Sequence, residues 1–488
     1  MLHATSNTVA RHLTAIKRNQ LSRPVRLAIA DSIIKSDTSV LDYGCGQGDD
    51  VRQLQQQGLT CVGWDPFFSQ TDSRLPADAV NLGYVVNVIE DNAERDAALR
   101  QAWSLTRKVL IVSARLTVDC DAAEEARYRD GYLTRIGTFQ KLFEQNELRL
   151  WIDATLAEPS VAAAPGVFYV FRDSELKYAY VSSRVRRVSA RPQQRRSDEL
   201  FERYRPLFDD LIEFVSDRGR LPIDCELPSA PEILEKLGSI GRAFAIIKRV
   251  TDLAQWEKIR LERSQDLLVY MALSRFSKRP KFSILPLSLQ LDIRAFYSNY
   301  KHACELADRL LFSTGKNEVI ATACRTSALG KLTPTALYLH KGALESLDPV
   351  LRVYEGCART LAGRIEGANI IKLHIHEPKV SYLSYPDFET VAHPPLHSSL
   401  VVHFRTFELQ RRDYAQSENP PILHRKEDFV RKEDILRLRY ERLTKQEEAN
   451  GLFARTSEIG TRQAWEKLLE EKGLRIRGHQ LVRNRRED

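Results

Sequence analysis

The segment Val40–Asp50 constrains the fold of this chain more than any other part of the sequence. It reads Val-Leu-Asp-Tyr-Gly-Cys-Gly-Gln-Gly-Asp-Asp, an apolar run followed by glycines at every second position and then by two acids. Glycine lets the backbone come close to a ligand without a side-chain clash, and amides at the start of a helix can meet a ligand's polar groups. The pattern therefore predicts a buried strand, a ligand-binding turn and a helix, in that order.

The glycine spacing and the acids that follow it indicate which ligand this turn binds. A dinucleotide-binding turn carries Gly-x-Gly-x-x-Gly beside the pyrophosphate, whereas Gly44, Gly46 and Gly48 are followed by Asp49 and Asp50. Acids are poor neighbours for a pyrophosphate, but they suit the cationic methionine part of S-adenosylmethionine. We therefore predict S-adenosylmethionine as the cofactor.

A further acid lies where a strand-end contact to the ligand is expected. The second strand, predicted at 61–65, ends about twenty residues after the glycine turn, and its last residue, Asp65, can accept hydrogen bonds from both ribose hydroxyls. Trp64 or Phe67 could lie against the adenine or belong to the core. The alternative interpretation is a Rossmann-like fold that binds nothing. The predicted cofactor-binding residues are Asp42, Gly44, Cys45, Gly46, Gly48 and Asp65, with no metal ligand assigned.

Candidates for the chemistry of methyl transfer lie on the strand predicted at 79–88. In an open α/β sheet the carboxyl ends of the strands form the ligand crevice, so Asn81, Tyr84 and Asn87 are candidates to face donor or acceptor. Displacement at a sulfonium depends mainly on positioning, and a general base is optional. The alternative is that these polar residues only cap strand ends.

Strand and helix patterns alternate along the first third of the chain. Such alternation predicts an α/β fold with a parallel, doubly wound sheet. Mostly helical patterns follow from 198 to about 312, and strand-like segments and further helices occupy the remainder. The predicted strands of the first third are 39–43, 61–65, 79–88, 108–114 and 167–172, and its helices are 19–36, 94–104 and 138–155.

Composition narrows the class of protein and its partners. The chain has 488 residues and a net charge of +8, which permits a nucleic-acid partner without demanding one. Its seven cysteines form no Cys-x-x-Cys pair, which argues against a disulfide framework and a cysteine zinc site. There is no apolar run long enough for a membrane span and no apolar leader. We predict a cytoplasmic protein with reduced thiols and no membrane partner.

Three further patterns allow other chemistry. Asn419-Pro420-Pro421 resembles the Asn-Pro-Pro-Tyr loop of amino-methylating DNA enzymes, but Ile422 replaces the aromatic, so a proline-rich turn is favoured. The second pattern is a set of residues that could bind a metal or simply form hydrogen bonds: His374, His376, Glu377 and His393. The third pattern interleaves basic residues with aromatic residues. It could contact phosphates and stack on nucleobases, or it could form a charged helical surface around a packed core. Its residues are Arg275, Phe276, Lys278, Arg279, Lys281, Phe282, Arg294, Tyr297, Tyr300, Lys301 and His302.

Residues 39–91 resemble class I S-adenosylmethionine-dependent methyltransferases. The resemblance lies in the Leu-Asp-x-Gly-x-Gly-x-Gly turn, in Asp65, and in Asn-Val-Ile-Glu-Asp at 87–91, where many small-molecule members carry Glu-His. The segment between Asp65 and Asp78 is short for this class, since it leaves little room for the usual second helix and third strand. The resemblance implies a class I methyltransferase domain over the N-terminal third.

The whole chain also resembles a narrower family, the DNA phosphorothioation-associated methyltransferases of bacteria. This resemblance implies DNA as the acceptor in a phosphorothioation or defence setting, with proteins of that system as partners. The segments that carry it run almost end to end, and they include Leu21-Ser22-Arg23-Pro24, Asp42-Tyr43-Gly44-Cys45-Gly46, Gly63-Trp64-Asp65-Pro66, Asn81-Leu82-Gly83-Tyr84-Val85, Gly137-Thr138-Phe139-Gln140-Lys141, Tyr385-Pro386-Asp387-Phe388 and Asn419-Pro420-Pro421-Ile422-Leu423-His424.

The leading hypothesis is therefore a methyltransferase that acts on DNA. One alternative is an enzyme that methylates RNA or a small molecule. Another is a non-catalytic module that binds the donor or scaffolds partners, with a second site in the histidine-rich C-terminal region. The predicted division of the chain is a methyltransferase domain at 1–180, an arginine-rich linker at 181–197, a helical domain at 198–330, an α+β domain at 331–440 and a basic helical segment at 441–488.

Overall fold

The computed structural model describes residues 11–69, 74–119, 126–185, 199–454 and 458–483. The chain divides into two compact units. The first comprises residues 1–180, 315–347 and 354–488, and the second comprises residues 181–314 and 348–353. The first unit therefore holds the predicted methyltransferase domain together with most of the C-terminal region.

Seventeen strands and sixteen α-helices occur in the described residues. The strands are β1 Val40–Tyr43, β2 Cys61–Trp64, β3 Ala77–Gly83, β4 Thr106–Ser113, β5 Ala126–Tyr128, β6 Gly131–Leu133, β7 Phe139–Gln140, β8 Val161–Ala164, β9 Val167–Phe171, β10 Lys331–Leu332, β11 Ala336–His340, β12 Ile370–His374, β13 Lys379–Ser384, β14 Ser398–His403, β15 Leu409–Asp413, β16 Leu474–Arg477 and β17 Gln480–Arg483.

The helices fall into three groups along the chain. The first group is α1 Arg23–Ala30, α2 Asp49–Gln56, α3 Asn92–Ser104, α4 Gln145–Leu156 and α5 Ser174–Ser183. The second is α6 Glu199–Arg203, α7 Arg205–Arg218, α8 Ala230–Leu237, α9 Ile240–Val250, α10 Leu253–Leu273, α11 Leu287–Tyr297 and α12 Tyr300–Ser313. The third is α13 Asn317–Thr326, α14 Pro349–Ala362, α15 Arg437–Ala449 and α16 Arg462–Glu471.

The first six-stranded sheet has the order β2-β1-β3-β4-β9-β8. Strands β1 to β4 pair in parallel, as predicted. The prediction of an all-parallel sheet is wrong at β9, which runs antiparallel to both β4 and β8. The physical reason is the connection between β8 and β9, the two residues Pro165 and Gly166, because a parallel pair needs a crossover of a dozen or more residues.

Two of the predicted elements have different bounds in the structure, for local reasons. The strand predicted at 79–88 stops at Gly83, because Tyr84 takes a positive φ of 60° that breaks the extended backbone. The helix predicted at 138–155 begins at Gln145, where Glu144 and Glu147 form a reciprocal capping box. The residues before it contribute β7 to a small three-stranded sheet.

The second six-stranded sheet is antiparallel throughout and follows chain order from β10 to β15. The segment that enters it is docked on the first sheet within the same unit, because Arg364 N donates to Ala163 O at 2.5 Å. Gln145 bridges the same two regions: its Nε2 donates to Leu361 O at 2.9 Å, and its Oε1 accepts from Gly166 N at 2.8 Å. The two sheets thus belong to one packed body.

The second unit is helical, and its core includes Phe208, Leu211, Ile233 and Ile247. Residues 315–347 and 354–488 belong to the first unit and residues 348–353 to the second, so the compact units span the predicted boundaries at 330 and 440. Residues 186–197 of the predicted arginine-rich linker lie outside the described residues. None of the helices in the described ranges is both long and apolar enough to cross a membrane.

Candidate functional site

A cavity of about 1140 Å³ opens at the carboxyl edge of the first sheet. Several parts of the first unit line it: the N-terminal segment 11–26, the glycine turn after β1, the residues that follow β2, β3 and β4, part of α3, and one face of the second sheet. Cavities of this size are typical of sites for small molecules and cofactors. All the lining residues belong to the first unit.

The glycine turn is built largely by its backbone. Gly44 N and Cys45 N donate to Trp64 O at 2.7 and 3.1 Å, which ties the turn to the end of β2. Gly44, Gly46 and Gly48 all have positive φ, and a Cβ at Gly44 would overlap the Val85 side chain. Only glycine fits this backbone without strain, and the absent side chains leave an open cradle at the cavity.

Asp65 lies on the cavity wall at the end of β2, where the sequence predicted a ribose contact. One of its carboxylate oxygens accepts from Gly46 N at 3.0 Å, and the other accepts from Phe67 N and Phe68 N at 2.9 and 3.0 Å. Each oxygen has two lone pairs, so Asp65 orders the glycine turn and retains capacity to accept from a ligand.

Asp42 and Asn81 are buried and are not among the described residues that line the cavity. Asn81 Nδ2 donates to Asp42 Oδ1 at 2.8 Å. Burial and the neighbouring Asp50 carboxylate raise the pKa of Asp42 to about 7. The geometry therefore differs from the predicted placement of Asn81 against donor or acceptor, because its amide is directed to Asp42.

The two acids after the glycine turn hold the N-terminal segment, a contact that the sequence did not predict. Asp49 Oδ2 accepts from Arg18 N at 2.7 Å, and Asp50 Oδ1 accepts from Ser22 N at 2.7 Å. Arg11 secures the start of the same segment, since its guanidinium donates to Glu90 at 2.8 Å. We call residues 11–22 the strap. Asp49 and Asp50, which follow the glycine turn, thus fix the strap beside it.

Tyr84 and Asn87 both line the cavity. Tyr84 N donates to Ser113 O at 2.9 Å, and the guanidinium of Arg18 lies 5.9 Å from the centre of its ring. Burial raises the pKa of the Tyr84 phenol, so at neutral pH it is a hydrogen-bond donor rather than a base. Asn87 Nδ2 donates to Gln140 Oε1 at 2.9 Å. A positive φ at a bulky residue in a cavity is typical of functional sites.

Cys45 also lines the cavity. Burial and the carboxylates of Asp42 and Asp65 raise the pKa of its thiol to about 12. The thiolate is the nucleophilic form of cysteine, so at neutral pH Cys45 is not a nucleophile. Its Sγ packs against Gly63, since a Cβ added at that glycine would lie 2.8 Å from it.

The histidines of the C-terminal region are engaged in separate hydrogen bonds. His374 Nε2 lies 2.9 Å from Ser381 Oγ, and His376 Nε2 lies 3.0 Å from Pro334 O. His393 Nε2 lies 2.6 Å from Glu447 Oε1 in a buried pair. In the part of the chain that the structure describes, no group of three or more histidines, cysteines or acids is arranged to hold a metal.

The Asn-Pro-Pro segment has a structural partner. Asn419 Oδ1 accepts from Gln463 N at 3.0 Å, beside the start of α16, and Pro421 forms a β-bridge with Thr461. Neither Asn419 nor the two prolines line the described cavity. These contacts favour the proline-rich turn over a base-gripping loop.

The basic and aromatic residues of the helical unit are largely engaged within that unit. Arg275 and Arg279 both reach Asp308, at 3.3 and 2.7 Å. The phenol of Tyr297 donates to Ser264 O at 2.5 Å, and that of Tyr300 donates to Pro280 O. These contacts favour a packed, charged helical surface over an array of stacking platforms.

Comparison with known proteins identifies the class of the N-terminal region. A family model described as a methyltransferase domain matches residues 14–184, which include the glycine turn, Asp65 and Tyr84. This region is a methyltransferase domain with a Rossmann-like fold, as predicted, and it is followed by helical and α+β regions. The match agrees with the predicted cofactor, S-adenosylmethionine. No curated protein matches the chain.

Three similar solved structures are methyltransferases. A 1,6-didemethyltoxoflavin-N1-methyltransferase of Burkholderia thailandensis is 14% identical, with coverage of 31% of this chain and 80% of that one and a TM-score of 0.24. An amino pentose methyltransferase of Micromonospora echinaspora is 16% identical, with coverage of 30% of this chain and 89% of that one and a TM-score of 0.23. The magnesium protoporphyrin IX methyltransferase of Synechocystis is 12% identical, with coverage of 33% of this chain and 93% of that one and a TM-score of 0.23. Because these TM-scores are low, the fold assignment rests on the family model and on the strand order of the first sheet. None of these matches supports the narrower resemblance to phosphorothioation-associated methyltransferases.

Proposed function

We propose that this protein transfers the methyl group of S-adenosylmethionine to an acceptor bound in the same cavity. The observation that carries the proposal is the left-handed glycine turn after β1, which lies on the cavity wall inside the region matched by the methyltransferase model. An open cradle beside Asp65 fits a ligand with ribose hydroxyls, and the acids around it fit a ligand with positive charge.

The donor would supply an electrophilic methyl group, and the chain's own residues would position the partners. Gly44 and Gly46 give the donor access to the backbone, and Asp65 would accept from the ribose. Asp42, held by Asn81, supplies negative charge beneath the turn. Tyr84, with its phenol protonated, would orient the acceptor by donating a hydrogen bond. The acceptor's proton leaves to solvent or to a group of the acceptor, which is why no triad is required.

DNA is the acceptor that we propose, in the phosphorothioation or defence setting implied by the sequence resemblance. Arginines on the cavity wall and the net charge of +8 support an anionic acceptor. The cytoplasmic location and the partner proteins of such a system remain predictions from the sequence. A small molecule is the second candidate, because the cavity volume is near that of small-ligand sites.

Calorimetric binding of S-adenosylmethionine and S-adenosylhomocysteine to the full chain tests the donor site. We expect micromolar binding that Asp65→Ala abolishes and that Asp65→Asn weakens less, since an amide oxygen can still accept. Asp78→Ala is the matched control, because Asp78 also accepts a backbone amide, Ser39 N at 3.2 Å, but at the amino end of β3. Absence of binding to the wild-type chain would contradict the proposal.

A further inference from the structure

One face of the second sheet forms part of the cavity wall. The strand register places Tyr382, Leu400 and Arg411 side by side on β13, β14 and β15, and it pairs Ser384 with Ser398 in the next row. Residues two apart on a strand share a face, so these five side chains lie together, and all five line the cavity. The methyltransferase region alone therefore does not complete the site.

Arginines cluster where this face meets the first sheet. Arg23, at the start of α1, donates to Glu366 at 2.9 Å and to Pro165 O at 2.7 Å. Arg26 lies one turn further along α1 and also lines the cavity. Arg115 follows β4, four residues before Asp119, which lies 4.0 Å from Arg411. This part of the cavity wall therefore carries two acids, Glu366 and Asp119, against four arginines, Arg23, Arg26, Arg115 and Arg411.

Two of these arginines have no acidic partner among the described residues. The side chains of Arg26 and Arg115 have no carboxylate of the described ranges at ion-pair distance, although both line the cavity. The two acids of this part of the wall, Glu366 and Asp119, already face Arg23 and Arg411. An excess of guanidinium groups on a concave wall attracts an anion, and guanidinium geometry matches phosphate oxygens.

We infer that this part of the cavity wall binds a phosphate group of the methyl acceptor through Arg26 and Arg115. The inference rests on the proposed function, since it assigns the acceptor of the same site. Tyr84 lies close to this part of the wall, since the charges of Arg23 and Asp119 act on its phenol. A phosphate held by the arginines would thus place the adjoining part of the acceptor next to Tyr84 and the donor turn.

The test measures phosphate-ligand binding to the full chain in the presence of saturating S-adenosylhomocysteine. The probes are thymidine 5′-monophosphate and a single-stranded oligodeoxynucleotide of about eight nucleotides. Arg26→Gln and Arg115→Gln should each weaken binding about tenfold, as expected for one charge-assisted contact. The matched control is Arg107→Gln, which removes the same charge from an exposed residue at the amino end of β4; it should change binding by less than about twofold.

The salt dependence separates the two sources of the phosphate. For an oligonucleotide, each arginine that is lost should lower the slope of log affinity against log salt by about 0.7, whereas a mononucleotide gives no such change. Failure of both probes to bind, or an equal loss in Arg107→Gln, would overturn this inference. If S-adenosylhomocysteine does not bind to the wild-type chain, the proposed function fails instead, and the probes still test the phosphate site in its absence.

Discussion

The two six-stranded sheets of the first unit contribute to one cavity by different means. The first sheet offers an edge, where the backbone turns after β1 and β3 through residues with positive φ, such as Gly44 and Tyr84. The second sheet offers a face, where Tyr382, Leu400 and Arg411 meet from three neighbouring strands. The edge is built from backbone and the face from side chains.

This difference explains why only one half of the site could be predicted. Turns at the edge of a parallel sheet are contiguous in sequence, so their glycine spacing is visible as a motif. Side chains on the face of an antiparallel sheet come from separate strands, and their juxtaposition depends on register. The comparison yields four predictions, from the largest effect to the smallest.

Gly44→Ala should lower the affinity for the donor by at least about a hundredfold. The new Cβ would overlap the Val85 side chain, and alanine is strained at the positive φ of this position. Calorimetry with S-adenosylhomocysteine measures this. Gly58→Ala is the control: Gly58 also has a positive φ, but a Cβ at that position would have no heavy atom of the described residues within 4 Å. Val85→Ala in the Gly44→Ala chain should restore part of the affinity. Unchanged binding in Gly44→Ala would contradict the edge-built donor site.

Gly363→Ala should weaken the docking of the second sheet on the first, because its Cβ would overlap the backbone of Ala163 and Ala164. We expect a loss of about 1–3 kcal/mol in the free energy of unfolding and loss of acceptor binding, with donor binding nearly retained. Denaturant unfolding and calorimetry measure these quantities. Gly367→Ala is the control, since the nearest atom to a Cβ there is Ser384 Oγ at 3.4 Å. Equal loss of donor and acceptor binding would argue against two separately built halves.

Acid should destabilise the region that contains the second sheet, through its buried histidines. Burial lowers the pKa of His374 and His424 to about 3 and of His393 to about 4. Each group binds a proton near pH 6.5 when unfolded but not when folded, so stability is present above pH 6.5 and is lost as pH falls towards 4. Melting temperatures between pH 7.5 and 5 measure this, and His374→Gln should show a smaller decrease than the wild-type chain. An identical decrease would refute this role of His374.

Donor affinity should rise modestly with pH at the edge of the first sheet. Asp42 has a pKa of about 7, so it is largely protonated at pH 6 and ionised at pH 8, where it attracts a cationic donor. We expect S-adenosylmethionine to bind about three- to tenfold more tightly at pH 8 than at pH 6. Asp42→Asn should remove most of this dependence. A wild-type profile that is flat, or falls with pH, would contradict an electrostatic role for Asp42.

The sequence predicted the elements of the first third well where the hydrophobic pattern was strong and local. It predicted a strand at each of β1 to β4, with β3 extended too far, because strand patterns are local properties. It missed the reversal at β9, because the direction of a strand depends on the length of its connection and on its partner. It also expected Asn81 in the crevice, whereas the hydrogen bond to Asp42 turns that side chain into the interior.

The sequence by itself predicted the glycine turn, since glycine and acid spacing along eleven residues encodes both a backbone path and a local charge. Only the tertiary structure decided what covers that turn and what faces it. The strap is held through backbone amides that any sequence carries. The second sheet reaches the cavity from more than two hundred residues away along the chain, through register and through one glycine at position 363. Contacts of this kind depend on packing between segments that are distant in the sequence, so no local sequence motif predicts them.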